Sequence, residues 1–311
     1  MALSASKDFT VTRSDIIAAA LRRLGVYDAG EAIPGEETTS AAMALNLMVK
    51  EWSARGIDVW LRDEVTLFLQ NDTKLYSLGT THSILSYNET TTTAAVAALG
   101  TVIPVTSSAG MAGSDNIGIK LTDNSIHWDT IFSVDSTTQI TLTTGILTAA
   151  ASGKKVYAYT TKAGRPQKIL SAYRRDTNSI DTPITMIGES DYYQQSNKGS
   201  SGPPVEMWYQ PTLTTGSLYV WPVDGGASWD KIVMSAQFMP DDFDISSNNP
   251  EFPVEWSNVL VWSLAAELAS EYGVMEKEQA RLWKISEFKL SELLDFDVEN
   301  ADVQFAMDYR R

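Results

Sequence analysis

The chain predicts an α+β fold in which helices from both ends make a four-helix bundle and β structure fills the middle. Three observations predict it. Apolar residues recur at helical spacing over 12–56 and again over 253–296. They alternate at strand spacing over much of 57–245, with Gly, Pro and Asn between the runs. The run "PEFPVEWSNVLVWSLAAELASEYG", residues 250–273, is apolar on more sides than a surface helix, which carries one apolar stripe.

The amino-terminal helices come first. Thr12 is placed as an N-cap with Asp15 three residues on, Ile16, Ile17, Ala20, Leu21 and Leu24 mark one face, and Gly25 stops the helix. After Pro34 and Gly35 the plan repeats, with Ala41, Leu45, Met48, Val49 and Trp52 on one face and Gly56 at the end. A hairpin of two such helices, residues 1–56, leaves apolar faces that need partners, and none is supplied before residue 253.

The central region, 57–84 and 162–250, reads as an antiparallel β domain. "VWLRDEVTLFL", "KLYSLG", "PITMIG", "PVEMWYQ", "SLYVWPV" and "KIVMSAQFM" are its strand-like runs. Between its halves, residues 85–161 change composition to Thr, Ser, Ala and Gly, with short alternating runs such as "TVIPVT", "IGIKL" and "QITLT". This pattern predicts an inserted small β-sandwich-like module.

Helices return over 251–296, and 297–311 reads as an extended arm with scattered charges and no glycine stop. Two helices at each end close into the bundle. The helix near 256–272 would sit at its centre, and its last apolar flank predicts a subunit interface at Trp256, Val261, Trp262, Ala265 and Ala269. The competing expectation is that the chain's own β domain covers that flank.

Composition excludes several classes. The 311 residues suit two domains, and 43% hydrophobic with 20% charged residues is a globular balance. With no cysteine, disulfides and thiol chemistry are excluded. No apolar run approaches the roughly 20 residues that cross a bilayer, so no membrane span is expected. The formal charge of −15 argues against a DNA-coating surface.

Three separated patterns carry a resemblance. "ALRRLGVYDAGEAIPGEETTSAAMALNLMVKEWSARGIDVW" leads into a strand, "YRRDTNSIDTPITMIGESDYYQQSNKGSSGPPVEMWYQP" precedes "LYVWP", and "FPVEWSNVLVWSLAAELASEYG" precedes a closing "DY" with arginine. In this order they resemble the head-to-tail adaptor proteins of short-tailed bacteriophages, also called tail tubular protein A or packaged-DNA stabilisation proteins. The resemblance spans most of the chain and weakens over 85–161. It implies a structural virion protein at the head–tail junction, made in the host cytoplasm, without catalytic residues, metal or cofactor. It implies a ring of about twelve subunits closed by rotation, joining portal to tail nozzle and retaining the genome. The arm would dock on the portal through Phe305, Met307, Tyr309, Arg310 and Arg311. The 85–161 insertion departs from the shortest family members, and it is read either as a docking platform for tail fibres or spikes or as decorative bulk. Glu267, Glu271, Glu276 and Glu278 would face a channel through which genomic DNA passes without sequence-specific binding.

Other chemistry finds little purchase. His82 and His127 lack partners at metal-binding spacing, and no nucleophile elbow, phosphate loop or dinucleotide fingerprint is present. Asp241 and Asp242 form a carboxylate pair in an acidic loop, and "PDDFDISSNN" lacks the spacing of a calcium loop. The alternative function is a carbohydrate-active tail protein, binding or cleaving glycans, that stacks sugars on Trp208, Tyr209, Tyr219, Trp221 and Trp229.

Overall fold

The computed structural model describes residues 9–57, 61–225 and 229–296. Helices α1 (Arg13–Leu24) and α2 (Gly35–Ala54) open the chain. Strands β1 (Arg62–Phe68), β2 (Leu75–Leu78) and β3 (Ser83–Ile84) follow. Next come β4 (Asn88–Thr91), β5 (Val102–Pro104), β6 (Asn116–Lys120), β7 (Ile126–Ser136), β8 (Gln139–Leu142) and β9 (Lys155–Tyr159). Then β10 (Lys168–Asp176), β11 (Asp181–Met186), short α3 (Glu189–Gln194), β12 (Glu206–Pro211), β13 (Gly216–Trp221) and β14 (Trp229–Gln237). Helices α4 (Ser257–Leu268) and α5 (Glu276–Phe296) close the described chain. It divides into two compact units, Met1–Leu61 with Met239–Arg311, and Arg62–Phe238.

In the helical unit, α1 starts at a reciprocal cap: Thr12 N donates to Asp15 Oδ2 at 3.0 Å while Asp15 N donates back to Thr12 Oγ1. It ends at Gly25, whose φ of 73° suits glycine. Helix α4 is the hub, and α1, α2 and α5 all pack on it. Val259, Leu260, Val261, Leu264, Ala265, Ala266, Leu268 and Ala269 are all buried. Trp256 lies among Trp52 and Phe252, with ring centroids 6.1 and 6.0 Å away. Ser263 and Ser286 share a buried hydroxyl hydrogen bond of 2.7 Å between α4 and α5.

The structure departs from the expected α+β class built on a four-helix bundle. The chain is mostly β, in two large curled sheets, and the terminal helices do not form such a bundle. The physical reason is α4 itself. A bundle helix buries one stripe, whereas this short helix is buried on nearly every side and the others surround it.

The first sheet has the order β2-β13-β12-β11-β10-β14-β1-β3. All its pairs are antiparallel except β11 with β12. Its edges β2 and β3 are joined by the short link from Leu78 to Ser83. Such a link reaches at most about 18 Å. A flat sheet of this many strands would be about 34 Å wide. The sheet therefore curls until its edges approach, around a core that includes Leu67, Tyr76, Met207, Leu218, Ile232 and Met234.

The second sheet, residues 88–159, has the order β4-β9-β6-β7-β8-β5. Its edges meet: Thr92 bridges Val105, and Thr106 N donates to Thr91 O at 2.9 Å. The module expected to be sandwich-like is thus a closed barrel filled by Ile103, Val105, Ile117, Ile119, Ile131, Ile140 and Val156. Short β-branched strands fit a barrel as well as a sandwich, and their spacing does not separate the two.

The two sheets meet through an aromatic seam. Phe68 of β1 packs on Tyr157 of β9, with centroids 4.1 Å apart, and on Tyr87 and Trp128. Beside it the buried Lys231 ammonium of β14 donates to Glu89 Oε2 of β4 at 2.8 Å and to Tyr87 OH at 2.7 Å. Lys155 of β9 holds the other Glu89 oxygen at 3.0 Å. Burial pushes the Glu89 carboxyl up, but the hydrogen bonds from Lys231 and Lys155 outweigh it and hold the group below its ordinary value.

Candidate interaction surfaces

The residues expected at a subunit seam are covered within one chain. Trp256, Val261, Ala265 and Ala269 are buried, and Trp262 is half-buried with the Arg23 guanidinium 4.8 Å from its ring centroid. The fourth side of α4, left without cover by the sequence, faces Leu282 of α5, with Leu24 and Val274 completing the patch. Neither a neighbouring subunit nor the β domain is needed to account for its apolar girth.

The portal-arm residues Phe305, Met307, Tyr309, Arg310 and Arg311 lie outside the described residues. Of the four acids, Glu267, Glu271 and Glu276 are exposed and Glu278 is half-buried. Glu271 accepts from Ser40 Oγ at 2.9 Å, and Glu278 pairs with Arg281 at 3.1 Å. Burial first, and then the nearby Glu51 carboxylate, raise the Glu267 carboxyl above its ordinary value. Glu267 lines a cleft of about 180 Å³ between α2, α4 and α5, together with Glu51, Arg55, Trp283 and Glu287.

The helical unit does present apolar side chains to solvent, in other places. Met43 and Leu47 on α2 are 65% and 62% exposed, and Phe288 on α5 is 61% exposed. The signal was available: Met43 and Leu47 fall off the stripe formed by Ala41, Leu45, Met48, Val49 and Trp52. Likewise Phe288 falls off the stripe of Leu282, Ile285, Leu290 and Leu293.

The aromatic residues of the β region are engaged with one another. Trp208 and Tyr219 stack at 4.6 Å with planes 15° apart, and α3 lays Tyr192 over both at 5.7 and 5.0 Å. Trp208 is buried as a result. Tyr209 donates its hydroxyl to Pro166 O, and Trp221 Nε1 donates to Asn197 O at 2.8 Å. The Trp229 side chain is outside those described. His82 stacks on Trp128 at 3.7 Å and bonds the Tyr159 hydroxyl, and its pKa is pushed down to about 4 by burial and then by Lys162. His127 is buried on β7.

The acidic loop after β14 is spanned by cations of the chain itself. Lys50 pairs with Asp242 at 2.8 Å, and Arg13 donates to the carbonyls of Phe243 and Asp244, both at 3.1 Å. Asp241 and Asp242 are thereby a tethered loop. Among the described residues no cluster of His, Cys, Asp or Glu is arranged to hold a metal. Among them, too, no helix is long and apolar enough to cross a membrane.

Compared with known proteins, the chain matches no family model and no curated protein.

Proposed function

We propose that this chain is a structural connector of a bacteriophage virion. Copies assemble as a ring of about twelve between portal and tail nozzle, complete the DNA channel and retain the packaged genome. The observation that carries the reading is the order of the three separated sequence patterns, from "ALRRLGV" through "YRRD…LYVWP" to "FPVEWSNVLVWSLAAELASEYG". Three features support it. The first and last described helices, α1 and α5, belong to one helical unit. That unit carries exposed apolar residues on α2 and α5, the kind of surface that assembly covers. Glu267, Glu271 and Glu276 are solvent-facing acids of the sort over which DNA slides instead of sticking. A glycan-binding reading finds its principal rings, Trp208 and Tyr219, already stacked against each other and against α3.

The test is direct. Mixed with the portal protein of the same phage, the chain gives a ring-shaped complex in electron micrographs, and deletion of residues 297–311 abolishes that complex while leaving circular dichroism unchanged. Failure of the full chain to join the portal refutes the connector reading. Binding retained after the deletion refutes the role of the arm.

A further inference from the structure

Two helices of the helical unit, α2 and α5, carry exposed stripes that match each other. On α2 the exposed residues Glu36, Ser40, Met43 and Leu47 follow one another at steps of four, three and four, so they line one side of the helix. On α5 the exposed residues Lys277, Arg281, Lys284 and Phe288 follow the same steps of four, three and four. The first stripe is acidic at its start and apolar at its end. Its Ser40 hydroxyl donates to the Glu271 carboxylate at 2.9 Å, and Met43 and Leu47 are 65% and 62% exposed. The second is basic at its start and ends on Phe288, 61% exposed. Arg281 pairs with Glu278 at 3.1 Å, while among the described residues no carboxylate pairs with Lys277 or Lys284.

Within one molecule the two stripes do not meet. The cleft that α2 and α5 share is lined by Glu51 and Arg55 from one helix and by Trp283 and Glu287 from the other, and neither stripe lines it. Helix direction supplies an independent observation. Glu271 meets Ser40 and Trp256 meets Trp52, so α4 runs antiparallel to α2. Ser263 bonds Ser286 while Ala269 clusters with Leu282, so α5 runs antiparallel to α4. α2 and α5 are therefore parallel in each molecule. A copy rotated about an axis along these helices brings its α5 to a neighbour's α2 still parallel.

We infer that α2 of one copy docks along α5 of the next, the helices parallel and in register. Glu36 then faces Lys277, and Glu271 beside Ser40 faces Arg281. The aliphatic stem of Lys284 covers Met43, and Phe288 meets Leu47. An antiparallel alignment would set Glu36 against Phe288 and Lys277 against Leu47, charge against apolar surface. Complementarity of charge and of apolar surface, at one shared spacing, selects a second copy as the occupant: both halves of the pair stand on this chain and cannot join within it. Because the two surfaces differ, the contact is heterologous. It rests on the connector reading for its closure into a ring, of which it names the seam.

The chain has no cysteine, so engineered thiols report the contact without background. Full chains carrying Leu47→Cys and Phe288→Cys are mixed and oxidised, and a disulfide-linked heterodimer is expected. A control mixture replaces the first chain with Leu213→Cys, at a residue 94% exposed in the β unit, and the heterodimer should exceed it by about tenfold or more. Either thiol chain alone gives no such dimer, because like surfaces do not face each other in a heterologous contact. Adding Lys277→Glu to the Phe288→Cys chain opposes two carboxylates and lowers the yield by about tenfold, and Glu36→Lys in the partner restores it. All the replaced side chains are exposed, and unchanged urea midpoints check that the variants fold. A yield no higher than the control overturns the inference. So does a dimer of either thiol chain alone, or a yield that Lys277→Glu leaves unchanged. Portal binding by the wild-type chain is scored separately: a chain that joins the portal without the crosslink loses this seam and keeps the connector reading, and a chain that does neither loses both.

Discussion

Replacing Ala265 with leucine separates a helix sheathed by its own chain from one awaiting a neighbour. Ala265 has no exposed surface and lies in the cluster formed by α1, α2 and α4. Three added carbons at a site without exposed surface overpack it, and overpacking of this kind costs about 1–3 kcal/mol. With a urea dependence of about 2 kcal/mol per molar, the midpoint falls by roughly 0.5–1.5 M. Trp52 and Trp256 sit in the same cluster and report the transition by fluorescence. The shift should be independent of protein concentration, because the cover comes from the same chain. Leu264→Ala, also without exposed surface, gives the opposite perturbation and a larger loss of about 2–5 kcal/mol. An Ala265→Leu chain that unfolds at the wild-type midpoint yet fails to assemble would put a subunit seam back on α4 and refute the reasoning.

The junction between the two sheets yields two pH-linked predictions. Glu89→Gln leaves the buried Lys231 ammonium without its carboxylate and lowers stability by about 2–3 kcal/mol, at or below the lower bound for a broken buried pair because Glu89 is partly exposed. Since the folded-state value of Glu89 is depressed, its contribution is present above its unfolded value near pH 4.5 and is lost as pH falls through the folded value. Thermal melts of wild type and variant should therefore converge toward low pH, and a constant gap down to pH 2 would contradict the pairing. His82, with a folded value of about 4, stays neutral where the unfolded chain takes up a proton, so its contribution erodes as pH falls from about 6.5 to 4 and changes no further below. His82→Phe should flatten that window in urea titrations at pH 5 and 6.5, and an unchanged slope would show that the ring is not held neutral.

Local signals in the sequence were legible, and the long-range arrangement was not. Thr12, Asp15 and Gly25 fix α1 by hydrogen bonds within a few residues, and those residues bound the observed helix. The runs around "KLYSLG", "PITMIG" and "SLYVWPV" became β2, β11 and β13 for the same reason. β10 is absent from the strand-like runs of the sequence, although it lies between β11 and β14. Its "KILSAYRRD" looks polar, yet Arg174 donates to Pro204 O at 2.6 Å, and Arg175 grips Asp181 through two hydrogen bonds of 2.7 Å. Pro204, 30 residues from Arg174, lies beyond any local window, whereas Asp181 stands only 6 residues from Arg175 across the turn into β11. Closure of the 88–159 sheet depends likewise on one pairing of Thr92 with Val105 across its two edges. Helix α4 is apolar all round in the sequence itself, but what covers a helix is decided by tertiary packing. Leu282 and Leu24, on two other helices, are what the sequence could not place against it.

The closed and curled sheets bear on how the protein can meet others. A strand edge invites backbone pairing with little regard for side chains. Here the barrel has joined its own edges, and the other sheet ends in β2 and β3, which are among its shortest strands. Recognition is thereby shifted onto side chains, where charge and shape discriminate between partners. The exposed apolar residues then carry more information than the buried ones. Met43, Leu47 and Phe288 on the helical unit and Leu99 and Leu147 on the barrel are each exposed although their elements have well-filled cores. Substituting them leaves those cores intact, whereas substituting α4 does not. A loss of assembly without a loss of stability should therefore map to the exposed set. If it mapped to α4 instead, the cover seen on that helix would have to exchange on assembly, and the Ala265→Leu chain would reveal this first.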